Sequence, residues 1–89
     1  MNAPAAIAAP RPLARLAPSQ QGPVVAVDWE RLSVPEARRL RELGLDEGVQ
    51  VQLLRRSGLL GGPLACRIGR MQVALRKHVA LAIHIAPNS

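Results

Sequence analysis

Gly61-Gly62-Pro63 lies between two runs that alternate like strands, and a glycine pair in such a place is where a chain can cradle a phosphate. A phosphate loop needs a strand, a G-x-x-x-x-G-K-[ST] run and a following helix, because backbone N–H groups and the lysine do the gripping. Here Gly62 is followed by Pro63 and Leu64, with no Lys-Ser/Thr, and the residues beyond alternate as a strand. The stretch reads instead as a strand connection whose glycines supply unusual backbone angles and whose proline stiffens the exit. Cys66, His78 and His84 are the only soft or imidazole metal ligands. Cys66 falls on an inward face, where a lone thiol behaves as a small hydrophobe. The histidines lack a C-x-x-C or H-x-x-x-H companion set, so no cofactor and no preformed metal site within one chain are expected. Weak or intersubunit transition-metal binding stays open. Catalysis has less to work with. No acid follows Glu47, and serines 19, 33, 57 and 89 fall at a loop, a cap, a corner and the terminus. Neither histidine has an evident carboxylate to orient it, and no nucleophile–base pair is visible, so the chain is not expected to be an enzyme.

The elements that would position these residues follow from periodicity. Residues 1–12 are Ala/Pro-rich and read as a disordered tail, with a domain over 13–86 and a short tail over 87–89. Leu13 and Leu16 can pack down on that domain. Residues 24–27 (VVAV) form a fully apolar strand candidate, consistent with burial on both faces. Ser33 with Glu36 three residues on makes a capping box, and Pro35 suits a first helical turn, so a helix is predicted over about 34–43. Val34, Ala37 and Leu40 give it a narrow apolar stripe, leaving Arg38, Arg39 and Arg41 as a solvated face. Gly44 marks its C-terminal end, with Leu45 able to reach back to Leu40. From Val49 the period becomes two. Val49, Val51 and Leu53 point inward, as do Leu64, Cys66 and Ile68 and then Met71, Val73 and Leu75. Gly69-Arg70 is a two-residue hairpin corner. Residues 76–80 break the alternation as one helical turn, and 81–85 close the chain as a strand with Leu81, Ile83 and Ile85 inward. One helix among short strands is most economically housed in a small closed barrel, since an open sheet of this size leaves bare edges.

Charge is distributed unevenly. Residues 1–47 contain six arginines and six acids, whereas beyond Glu47 only Arg55, Arg56, Arg67, Arg70, Arg76 and Lys77 carry charge, which accounts for the net +6. One end of the domain therefore carries a positive field suited to an acidic protein surface, nucleic acid or anionic headgroups. Nearly half the residues are apolar but Trp29 is the only aromatic, so the core is aliphatic. The same lack removes the stacking platforms of single-strand nucleic-acid binders and the aromatic grooves of proline-rich peptide binders. A single cysteine points to a reducing compartment. No apolar stretch approaches the roughly 20 residues that span a bilayer, so no direct membrane insertion is expected.

A longer pattern is more specific than any of these pieces. Leu40, Leu43-Gly44-Leu45, Gly48, Val51 and Gly61-Gly62-Pro63-Leu64 follow one another, then Met71 to Arg76 and Ala80 to Ile83. Leu13 to Pro18 and Gly22 to Val27 extend the pattern toward the N-terminus. Together they resemble the FeoA family, small cytosolic partners of the bacterial ferrous-iron transporter FeoB. The resemblance implies an SH3-like barrel of about five strands with one inserted helix. It also implies a non-enzymatic accessory role in ferrous iron uptake, exercised by contact with the cytoplasmic region of an FeoB-like membrane GTPase. The tail 1–12 exceeds the usual family start, and Trp29 falls in a variable linker.

Within that frame Arg55, Arg56, Leu59, Leu60, Gly61 and Gly62 are the docking candidates, the two leucines because bulky apolar residues at a loop tip are normally kept from water. The expected location is the cytoplasm, at the inner face of the membrane when the partner recruits it. A basic barrel binding nucleic acid and a metal-responsive oligomer are the alternatives, and weak self-association stays open.

Overall fold

The computed structural model describes residues 9–57 and 61–88. Six strands form one sheet: β1 (Arg11–Pro12), β2 (Gln21–Val27), β3 (Gln50–Arg56), β4 (Leu64–Ile68), β5 (Met71–Leu75) and β6 (Ile83–Ile85), in the order β1-β6-β2-β3-β4-β5. Helix α1 (Val34–Glu42) joins β2 to β3, and the short α2 (Lys77–Leu81) joins β5 to β6. All pairings are antiparallel. β2 changes partner along its length: Gln21 to Pro23 face β3, whereas Val24, Ala26 and Val27 face β6 across a bulge. A strand shared in this way turns the sheet back on itself and encloses a core, as bends and bulges do at barrel corners. Closure is incomplete, because no ladder joins β5 to β1.

The core is aliphatic. Leu13, Leu16, Leu40, Val51, Leu53, Cys66, Ile83 and Ile85 are each at most 1% exposed. No helix among the described residues is long and apolar enough to cross a membrane. Helix α1 begins as its sequence demands. The Ser33 hydroxyl accepts from the Glu36 amide at 3.2 Å, and the Glu36 carboxylate accepts from the Ser33 amide at 2.9 Å. It ends where Gly44 takes φ +86°. The Gly44 amide then reaches Arg41 O and the Leu45 amide reaches Leu40 O, each at 3.0 Å, which satisfies carbonyls the last turn leaves free.

Several expectations are corrected. Val34 is 70% exposed, so α1 buries only Ala37 and Leu40, and Leu45 completes the stripe from beyond the cap. Val25 and Ala26 are exposed, because β2 has one face on the core and not two. Met71 is 44% exposed despite its inward register. Leu81 belongs to α2, and the last strand starts at Ile83. The ordered domain is wider than 13–86: Arg11 and Pro12 pair with Ile85 and His84, Pro87 is buried, and the Asn88 amide donates to Gln21 O at 2.9 Å. Of the expected tail, residues 1–8 lie outside the described residues.

A bulge in β3 has the largest effect on side-chain placement. Leu53 lies opposite Cys66 but Arg55 lies opposite Ala65, so Leu54 is the extra residue. Strict alternation would put residue 55 on the inward row. The bulge instead places Arg56 there, opposite Leu64, and turns Arg55 to the outside.

Candidate docking surface

The six predicted docking residues do not act as one set. The Arg56 guanidinium donates to Ala14 O at 2.6 Å and to Leu16 O at 2.8 Å. It thereby ties the N-terminal 3-10 turn (Leu13–Arg15) to the end of β3. Arg56 is engaged with its own chain. Arg55, one residue earlier, is exposed and makes no side-chain hydrogen bond or ion pair among the described residues. Gly61 takes φ +80° with open space where a side chain would stand; Gly62 does not need such an angle. Leu59 and Leu60 lie outside the described residues.

The end of the glycine corner comes to rest beside the second half of the basic set. Gly61, Pro63, Arg76, Lys77, His78 and Leu81 line one open depression of about 540 Å³. Arg70, Arg76 and Lys77 are exposed, and among the described residues none of them lies within ion-pair distance of an acid. Arg67 is half-buried and donates to the Gln52 side chain at 3.0 Å. The free charges are divided: Arg55, Arg76 and Lys77 lie toward the Leu64–Leu75 end of the sheet, with Arg56 as a structural strut beside them. Arg70 stands at the β4–β5 corner at the other end of those strands, so the single positive end expected from the sequence is corrected.

Both histidines prove to have carboxylate partners, which corrects the sequence reading. His78 Nε2 donates to Glu36 Oε2 at 2.6 Å, and His84 Nε2 donates to Asp28 Oδ2 at 2.8 Å. The partners are 42 and 56 residues away in the chain, so no local pattern announces them. Glu36 is held below its ordinary carboxylate range first by the Ser33 amide and then by the bond from His78. For Asp28 the bond from His84 dominates, aided by the charges of His84 and Arg31 and opposed by partial desolvation. These pairs pin α2 to α1 and β6 to the segment after β2. Cys66 is fully buried, its thiol pushed up to about 11 by desolvation. It packs as a core residue. No group of three His, Cys, Asp or Glu side chains suited to a metal ion occurs among the described residues. Trp29, in the stretch that reads as a linker from the sequence, packs against the core from a 3-10 turn, and the Arg41 guanidinium stacks over its ring at 4.2 Å.

The family model for the FeoA domain matches residues 11–87, a span that takes in all six strands of the sheet. The chain belongs to the FeoA family. Among solved structures, FeoA from Stenotrophomonas maltophilia is 30% identical, with a TM-score of 0.68 over 88% of this chain and 89% of that one. That protein is described as a zinc complex and a prokaryotic SH3 domain protein proposed as a ferrous iron transport activating factor. FeoA from Chlorobium tepidum is 26% identical, with a TM-score of 0.72 over 86% of this chain and 70% of that one. A manganese-dependent transcriptional repressor shares the fold alone, at 19% identity and a TM-score of 0.76 over 88% of this chain and 41% of the repressor. No curated protein sequence matches the chain. The FeoA assignment accounts for the mainly β, SH3-like architecture with its single full-length helix.

Proposed function

We propose that this FeoA protein is a non-enzymatic cytoplasmic accessory factor of ferrous iron uptake that docks on the cytoplasmic region of an FeoB-type transporter. Family membership over residues 11–87 is the observation that carries the reading. The free cations at Arg55, Arg76 and Lys77, toward one end of the sheet, support the choice of surface, since an unneutralised end speeds and orients encounter with an acidic partner. Gly61, with its left-handed backbone, and Gly62 begin the return to β4, and Leu59 and Leu60, outside the described residues, are the apolar contacts this reading assigns. Arg56 contributes by holding the loop's base to the N-terminal turn.

The test is titration of the purified transporter's cytoplasmic region with wild-type protein, with Arg55→Glu/Arg76→Glu and with Leu59→Asp/Leu60→Asp. Salt-sensitive binding that each folded variant weakens at least tenfold is expected. Full retention by both variants refutes the docking surface, and tight RNA association at physiological salt would favour the nucleic-acid reading instead. A metal-bridged oligomer is the second reading, favoured by the zinc complex of the S. maltophilia relative. Sizing with and without Zn²⁺ or Fe²⁺ decides it, and an unchanged size counts against it.

A further inference from the structure

The sheet has two ends, and they are unequal. β1 is two residues long, whereas β5 runs for five and pairs only with β4. Ile68 and Met71 face each other across the two-residue Gly69-Arg70 corner. In such a hairpin the flanking residues exchange both main-chain hydrogen bonds, and the pattern then alternates. Met71, Val73 and Leu75 therefore turn their amide and carbonyl groups toward β4, while Gln72 and Ala74 turn theirs to the open side. Gln72 and Ala74 are both exposed, and no described residue hydrogen-bonds to those outward groups.

The inward row of β5 loses cover in the same direction. Leu75 is 4% exposed, Val73 is half-buried and Met71 is 44% exposed. Beside the C-terminal half of the strand a groove of about 380 Å³ separates β5 from α1. Leu40, Leu75 and Val79 line it as buried residues, and Pro35, Arg39 and Arg76 as exposed ones. Its one lining carboxylate, Glu36, is already held by His78 and the Ser33 amide.

We propose that the free edge of β5 binds an extended acidic segment of a partner protein, which adds to the sheet as a further strand. Four outward main-chain groups on Gln72 and Ala74 supply the ladder, as in other cases of strand addition. Apolar side chains of the segment would lie over Met71 and Val73, and its alternate acidic side chains would meet Arg70, Arg76 and Lys77. A second copy of this chain is a poor occupant. An antiparallel pairing that uses all four outward groups sets Gln72 opposite Ala74 of the other copy, and that register places Arg70 directly opposite Arg76 twice over. Like charges so placed repel. The flanking arginines thus guard the edge against self-pairing, as edge charges commonly do, while remaining complementary to an acid. This inference goes beyond the transporter reading and stands whichever protein carries the segment.

The probe is an N-acetylated seven-residue peptide of alternating glutamate and valine, added to ¹⁵N-labelled full-length protein. Amide shifts concentrated at Gln72 and Ala74 are expected. Ala74→Pro removes one outward donor from an edge position where proline is tolerated, and should weaken binding at least tenfold. N-methylation of alternate peptide amides should do the same. Arg70→Glu/Arg76→Glu provides a variant with an intact backbone; it should lose the glutamate peptide at least tenfold and gain affinity for a lysine–valine counterpart. Equal binding of the N-methylated peptide, shifts centred on Arg55 and Arg67, or no binding at all would overturn the proposal. So would a wild-type dimer that Ala74→Pro dissolves. The assay contains no transporter, so the two readings fail independently.

Discussion

Gly22 offers a sharp test of how this barrel is held shut. It is buried in β2, and its backbone conformation is one that any residue adopts. What forbids a side chain there is space. A Cβ on Gly22 would stand far inside van der Waals contact of the Ala86 carbonyl oxygen, 2.7 Å from the Ala86 carbonyl carbon and 2.9 Å from Pro87 Cα. All three atoms are backbone, so no side-chain rotation relieves the clash. Gly22→Ala must push the chain after β6 away from β2. The hydrogen bonds from Ala86 N to Pro23 O (3.0 Å) and from Asn88 N to Gln21 O (2.9 Å) lie on either side of the clash. Losing both costs about 2 kcal/mol, and displacing packed backbone adds about 1 kcal/mol or more. A loss of about 3 kcal/mol corresponds to a Tm lower by roughly 12–24 °C in a domain this small. Gly44→Ala is the control. Nothing lies within 4 Å of a Cβ there, and only the φ of +86° is strained, at about 1 kcal/mol. Thermal melts followed by Trp29 fluorescence should rank Gly22→Ala well below Gly44→Ala. Equal Tm values for the two variants would show that the C-terminal segment does not lock β2 as described.

Three further outcomes are expected. Arg56→Ala should lower stability by about 1–2 kcal/mol in urea unfolding, because two carbonyls lose a charged donor. Arg55→Ala should stay within about 0.5 kcal/mol of wild type, and the opposite ranking would refute the bulge-driven exchange of their roles. Asp28 and Glu36 are both held below their ordinary carboxylate values, so their contribution to stability is complete above the ordinary range and lost as pH falls through the depressed ones. Melting temperature should therefore drop below about pH 4, and Asp28→Asn/Glu36→Gln should flatten that drop; an unaltered acid limb argues against the pairs as stabilising. Arg41→Ala should expose Trp29, shift its emission to longer wavelength and cost about 0.5–1 kcal/mol, with an unmoved spectrum counting against the stack.

What could be read from the residues alone is local. The capping box at Ser33 and Glu36, the left-handed Gly44 and the Gly69-Arg70 corner each act within a few residues, and the structure realises all three. The inward row Leu64, Cys66 and Ile68 is as legible, because β4 lies between two strands and has no bulge of its own. Reading failed where a distant segment decides. Val34 fits the apolar period of α1, yet nothing packs over the first turn on that side. Arg56 looks like a free surface charge until the extra residue at Leu54 shifts it onto the inward row beside two carbonyls. The carboxylates of His78 and His84 come from the other half of the chain. Of the docking candidates, the basic character was visible as charge asymmetry, but the division between a strut at Arg56 and free charge at Arg55 depends on the bulge.

The crossing of those two carboxylates also explains why the second half of the chain keeps its positive charge. Glu47 is the last of the six acids, so every acid that meets the second half of the chain must reach it through the fold. Asp28 binds His84 and Glu36 binds His78, so neither carboxylate neutralises an arginine of that half. Arg55, Arg70, Arg76 and Lys77 are thereby left for a partner. At physiological ionic strength their field decays over about 8 Å, so it acts only once a partner is nearly in contact. Charge alone then gives encounter without register. Register must come from directional groups, and the outward amides and carbonyls of Gln72 and Ala74, which lie on β5 between Arg70 and Arg76, can supply them. An aliphatic barrel without aromatic grooves can in this way still be selective, by joining a short open edge to a charge that its own acids do not neutralise.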